Sequence, residues 1–148
     1  MTEPVWSERN RFLKDYQIDN LNVLDFGCGD KSICNYFDFK SYVGFDREAT
    51  SDIQLNFNDV TFEIHETGDL GLVLGVLEYL DDPNNFLNRI KHSCNRFIIM
   101  VLAIKGPKVH HGWQRVYNKE SFNTILSKHF SNYNIKEFNK YLVADCYK

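Results

Sequence analysis

Residues Asn22 to Ile33 read NVLDFGCGDKSI, an apolar run that meets an acid, Asp25, and then two glycines, Gly27 and Gly29. The run predicts a strand over 22–27, and the glycines predict a tight turn into a helix. After a parallel strand, a Gly-x-Gly turn lets the backbone lie against a ligand where any Cβ would collide. It also aims free N–H groups at that ligand. Nucleotide cofactors bind at such turns.

Several cofactors use glycine turns, and Asp25 discriminates between them. A dinucleotide fingerprint places a pyrophosphate on the helix N-terminus, where a carboxylate two residues before the first glycine would repel it. Here Ser32 also stands where its third glycine would be. A phosphate-binding loop is suggested by Lys31-Ser32, but Asp25 and Asp30 occupy both of its glycine positions. A ligand with an ammonium tail suits Asp25 better than a diphosphate does, and S-adenosylmethionine has such a tail.

The stretch LDFGCGDKS resembles motif I of the class I S-adenosylmethionine-dependent methyltransferases, with Lys31 where that family usually has its last glycine. The second half of the signature is YVGFD, residues 42 to 46, whose closing acid Asp46 is placed to accept hydrogen bonds from both hydroxyls of a ribose. A third anchor is GDLGLVLGVLEYLDDPNNFLNRI, residues 68 to 90, similar to the family's fourth-strand region, with Tyr79 in place of a histidine. In that region Gly75 and Val76 would line the methionine part of the cofactor, and Glu78 reads equally as a family residue or a partly solvated charge at a helix start. Asn56-Phe57 resembles the pair that flanks adenine in compact members, although Phe57 reads equally as core. The resemblance covers nearly the whole chain and implies a cofactor-binding set of Asp25, Gly27, Cys28, Gly29, Asp46, Arg47, Asn56, Phe57, Gly75 and Val76.

The chain of 148 residues suits one domain over 1–148, and 43% apolar and 15% aromatic residues are too many for disorder. No apolar run is long enough to span a membrane, and the start MTEPVWSERNRF lacks the apolar core of a secretory signal. Cys28, Cys34, Cys94 and Cys146 form no Cys-x-x-Cys pair, which points to a reducing, cytoplasmic setting. A net charge of −3 without a basic cluster argues against gripping nucleic acid through its phosphates.

Along the chain, apolar runs alternate with amphipathic segments, predicting a Rossmann-like, doubly wound α/β sheet of seven strands. A leading helix is expected over 7–16, capped by Ser7, and a short helix over 32–37 after the glycine turn. Strands are expected at 42–46, 52–57, 70–75 and 96–104. The third is short, with no helix before it, so the fold reads as reduced there. Helices are expected over 83–92, starting at Asp82-Pro83, and over 119–129. NYNIKEF and YLVADCY, separated by Asn139-Lys140, predict a closing antiparallel hairpin, which is again similar to the methyltransferase fold.

The reaction that the resemblance implies is in-line displacement of a sulfonium methyl by a small-molecule or sugar-type acceptor. Alignment and exclusion of water do most of the work, and a base is needed only where the acceptor must lose a proton. His110 and His111, in the loop after strand five at the ligand-binding edge of the sheet, are the candidate bases, with Trp113 beside them as a wall or an anchor. No separate acceptor domain is expected within these residues. The acceptor cleft would use Trp6 to Phe12 and Lys105 to Tyr117, either alone or completed by a second copy of the chain. Histidines and cysteines lack the paired spacing of a metal site. The competing reading is a catalytically degenerate cofactor fold that serves as a binding module, which Lys31 and the trimmed region after Asp46 keep open.

Overall fold

The computed structural model describes residues 10–103 and 114–148. Seven strands form one sheet in the order β3-β2-β1-β4-β5-β7-β6. They are β1 (Asn22–Phe26), β2 (Ser41–Asp46), β3 (Ile53–Gln54), β4 (Gly68–Leu74), β5 (Cys94–Leu102), β6 (Asn132–Phe138) and β7 (Tyr141–Tyr147). The first five pair in parallel, whereas β7 runs antiparallel to both β5 and β6. β5 is central and covered on both sides. Phe97, Ile99 and Val101 face one apolar cluster, and Ile98 and Met100 face the other, which is why that stretch is apolar throughout.

Helix α1 (Pro83–Ile90) and helix α2 (Lys119–His129) cover the first face through Phe86, Leu87, Ile90, Phe122, Ile125 and Leu126. Both start on side-chain caps. Asp82 accepts from Asn85 N with Pro83 at the first helical position, and Asn118 forms a capping box with Ser121. The opposite face is covered by Leu13, Tyr16 and Ile18 near the N-terminus, and by Ile33 and Phe37 after the glycine turn.

Three expected elements differ. Among the described residues the leading segment is α-helical at 10–12 and tightens to a 3-10 turn over Leu13–Tyr16; its start at Ser7 lies outside them. The helix expected over 32–37 is a 3-10 turn, Ser32–Asn35. The third strand pairs only at Ile53 and Gln54, after which Asn58 N bonds the Asn56 side chain and ends the extended run. At the hairpin, Asn139 takes the left-handed conformation, φ 53, that a two-residue loop needs.

Candidate functional site

The carboxyl ends of β1, β2 and β4 converge on the glycine turn. Gly27 has φ 94, and a Cβ on it would lie 2.4 Å from Val76 Cγ2. That contact brings the end of β1 directly against the segment after β4, where Gly75, at φ 70, donates its N–H to Met100 O at 2.9 Å. Gly29 also has a positive φ, 53, but a Cβ built there meets nothing among the described residues beyond its chain neighbours within 4 Å. The two motif glycines therefore have different causes: one is demanded by protein packing, and the other faces open space.

Asp46 closes the turn from β2. Its Oδ2 accepts the Gly29 N–H at 2.9 Å and its Oδ1 accepts the Arg47 N–H at 2.8 Å. Arg47 thus contributes through its backbone. Asp25 is only 3% exposed, and the Tyr42 hydroxyl donates to its Oδ2 at 2.5 Å. Burial first, then the Asp25 charge and hydrogen bond, push the Tyr42 hydroxyl far above its ordinary pKa, so it stays a donor. The strand pairing explains the meeting: Asp25 sits opposite Gly44, two residues along β2 from Tyr42.

Cys28 lies between the glycines with its Sγ over Gly44, where a Cβ would be 2.8 Å away. Burial first, then the charges of Asp25 and Asp46, push its thiol up to about 12, so it packs as a neutral group and not as a nucleophile. The described residues contain no group of three His, Cys, Asp or Glu that could hold a metal ion.

Phe57 is half-buried within an aromatic cluster, its ring centroid 5.0 Å from Phe86 and 5.5 Å from Phe62. Phe57 therefore packs against the core while staying partly exposed, and Asn56 is engaged in its local turn through Oδ1. Glu78 is not a partly solvated charge. It is 1% exposed, its Oε2 accepts the Leu102 N–H at 3.0 Å, and its carbonyl accepts the Gln114 N–H at 2.7 Å. It ties the segment after β4 to both the end of β5 and the chain at 114. His110, His111 and Trp113, with Trp6, lie outside the described residues.

Sequence reasoning misses Tyr42 and Asp52. Tyr42 lies inside the stretch YVGFD, but only the strand register reveals its reach to Asp25. Two grooves among the described residues lie away from the turn. One, about 350 Å³, involves Tyr16, Arg96 and Asp145; the other, about 490 Å³, involves Asn84, Arg115 and Tyr117.

No family model matches the sequence, and no curated protein matches it. Solved structures do match in fold. The small RNA methyltransferase HEN1 aligns over 100% of this chain and 26% of its own, with TM-score 0.75 and 15% identity. A SAM dependent methyltransferase from Aquifex aeolicus aligns over 97% of this chain and 92% of its own, with TM-score 0.74 and 15% identity. The 1,6-didemethyltoxoflavin-N1-methyltransferase of Burkholderia thailandensis aligns over 97% and 80%, with TM-score 0.69 and 18% identity. The chain thus spans about a quarter of HEN1 and most of the other two. The seven-stranded sheet with its antiparallel C-terminal strands agrees with these comparisons: the chain has the class I S-adenosylmethionine-dependent methyltransferase fold.

Proposed function

We propose that the chain binds S-adenosylmethionine across the Gly27–Gly29 turn and transfers its methyl group to a small-molecule or sugar-type acceptor. The observation that carries this reading is the open space at Gly29. Lys31, two residues on, holds a full side chain at φ 62, so the left-handed conformation alone does not require glycine here. With no atom of the described residues beyond its chain neighbours within 4 Å of its Cβ position, Gly29 leaves room for a ligand against the backbone.

Two acids are proposed to match the cofactor's ends. Asp46, at the tip of β2, would take the ribose hydroxyls, and Asp25 the ammonium of the amino-acid tail. A carboxylate offers about four acceptor sites, so Asp25 can serve Tyr42 and an ammonium together. Gly75 and Val76 would border the methionine part, with Cys28 and Arg47 completing the turn and Asn56 and Phe57 the adenine side. The cofactor supplies a sulfonium methyl already activated for displacement. The chain supplies alignment and exclusion of water, which can contribute roughly 7–11 kcal/mol. Where the acceptor must lose a proton, His110 or His111 is the proposed base.

Proteins with this fold include a small RNA methyltransferase and a didemethyltoxoflavin methyltransferase, so fold alone does not choose the acceptor. The net charge of −3 favours a small acceptor over nucleic acid. A second reading, a non-catalytic binding module, is supported by the four-residue turn in place of a helix and by the two-residue β3. Incubation with methyl-labelled S-adenosylmethionine and a panel of hydroxyl and amine acceptors, nucleotide sugars included, separates the two. The enzyme reading expects label on at least one acceptor, and less of it after His110→Ala or His111→Ala. Cofactor binding with no transfer to any acceptor class supports the module.

A further inference from the structure

Lys31 ends the glycine turn with a backbone conformation, φ 62 and ψ 26, that a glycine would ordinarily supply. Its ammonium crosses to Asp52 Oδ1 at 2.6 Å. The other Asp52 oxygen accepts the Gly44 N–H at 2.8 Å, and Asp52 N donates back to Gly44 O at 3.0 Å. One carboxylate therefore joins the end of the turn to β2, two residues before Asp46. It also extends the pairing along β2 beyond the two residues of β3. The hydrogen bond from Lys31 first, and then that from Gly44, hold Asp52 below the usual carboxylate range, while Asp52 raises Lys31. Both groups are charged.

After Lys31 the chain makes a 3-10 turn, Ser32–Asn35, where this fold was expected to place a helix. One such turn contributes few hydrogen bonds to fix the loop before it. The loop is instead fixed from the side, by Asp46 at Gly29, by Thr50 Oγ1 donating to Gly29 O at 3.3 Å, and by the Lys31–Asp52 pair. We infer that Lys31 and Asp52 are positioning residues of the cofactor site: their ion pair does the work of the shortened helix, holding the Gly27–Lys31 turn against the Asp46 wall. This rests on the S-adenosylmethionine reading above. Their side chains are 29% and 41% exposed, so the effect is modest and sensitive to salt.

The test is calorimetric titration of S-adenosylhomocysteine into the wild-type chain and into Lys31→Ala, Lys31→Arg, Asp52→Asn, Asp52→Ala and the Lys31→Ala/Asp52→Ala double variant. Lys31→Ala and Asp52→Asn should each weaken binding about two- to fivefold at low salt, and Lys31→Arg should restore it. The double variant should bind no worse than Asp52→Ala, because the two residues act through one contact. In roughly 0.5 M salt the wild-type advantage over Lys31→Ala should vanish, which a merely structural role would not produce. Melting temperatures measured alongside identify any variant that fails to fold, and Asp52→Asn keeps the Gly44 acceptor. Wild-type affinity in both Lys31→Ala and Asp52→Asn, or losses that add in the double variant, would overturn the inference alone. No binding to the wild-type chain would overturn the cofactor reading and this inference with it.

Discussion

At the scale of single residues, the two motif glycines should behave differently. Gly27→Ala drives a methyl group to 2.4 Å from Val76 Cγ2 at φ 94, and overpacking of this kind costs roughly 1–3 kcal/mol before backbone strain is added. Thermal unfolding should show a clearly lowered melting temperature. Gly29→Ala meets no atom of the described residues beyond its chain neighbours, so it should cost only the left-handed penalty of about 1–2 kcal/mol. Its larger effect should fall on S-adenosylhomocysteine binding. A Gly29→Ala variant that binds as tightly as the wild type would show that the open space is not the ligand's. The sequence marked these glycines and both acids because spacing and charge are local properties. It did not reveal that Tyr42 caps Asp25 or that Lys31 reaches Asp52. Both contacts join residues 17 or more positions apart and depend on the register of β1 against β2.

At the scale of elements, two side-chain contacts make predictions of their own. His129, at the end of α2, donates from Nε2 to Asn84 Oδ1 of α1 at 2.8 Å, and its Nδ1 is buried without a partner among the described residues. Burial first, then the charges of Lys91 and Lys128, hold its pKa below the ordinary 6.5. The unfolded chain therefore binds a proton here more readily than the folded one. This contribution is complete above about pH 6.5 and is lost as pH falls toward the lower folded value. Urea midpoints between pH 7.5 and 5.5 should fall less steeply in His129→Gln than in the wild type. On the opposite face, Arg96 grips Asp145 through Nε and Nη2, at 2.8 and 2.9 Å, linking β5 to β7. Asp145→Ala should destabilise by about 1.5–3 kcal/mol in denaturant titration. Helix 119–129 and both hairpin strands were legible at their full bounds, because caps, core spacing and a two-residue turn all agree there. Strand three and the helix after Lys31 were not. Alternation in DIQLNF continues past the paired residues because the extended segment lays Leu55 and Phe57 on the core, and six residues are too few for a helix to hold its ends.

At the scale of the whole molecule, the parallel part of the sheet brings the tips of β1, β2 and β4 to one edge, where Asp46 bonds the exposed Gly29 and the buried Asp25 lies near the end of β1. The doubly wound class was readable from alternating apolar and amphipathic runs and the closing hairpin from its two-residue spacing, whereas the strand order was not. The acceptor side was not, since an acceptor pocket depends on loop shape, which no periodicity encodes. Among the described residues no helix is long and apolar enough to cross a membrane. The central claim is that this edge holds an adenosyl amino acid between Asp25 and Asp46, and calorimetric titration with S-adenosylhomocysteine tests it most directly. Saturable binding to the wild-type chain, weakened about tenfold or more when Asp46→Ala removes a charged hydrogen-bonding partner of the ribose, is the predicted result. No heat of binding at millimolar ligand, or equal affinity in Asp46→Ala, would contradict it.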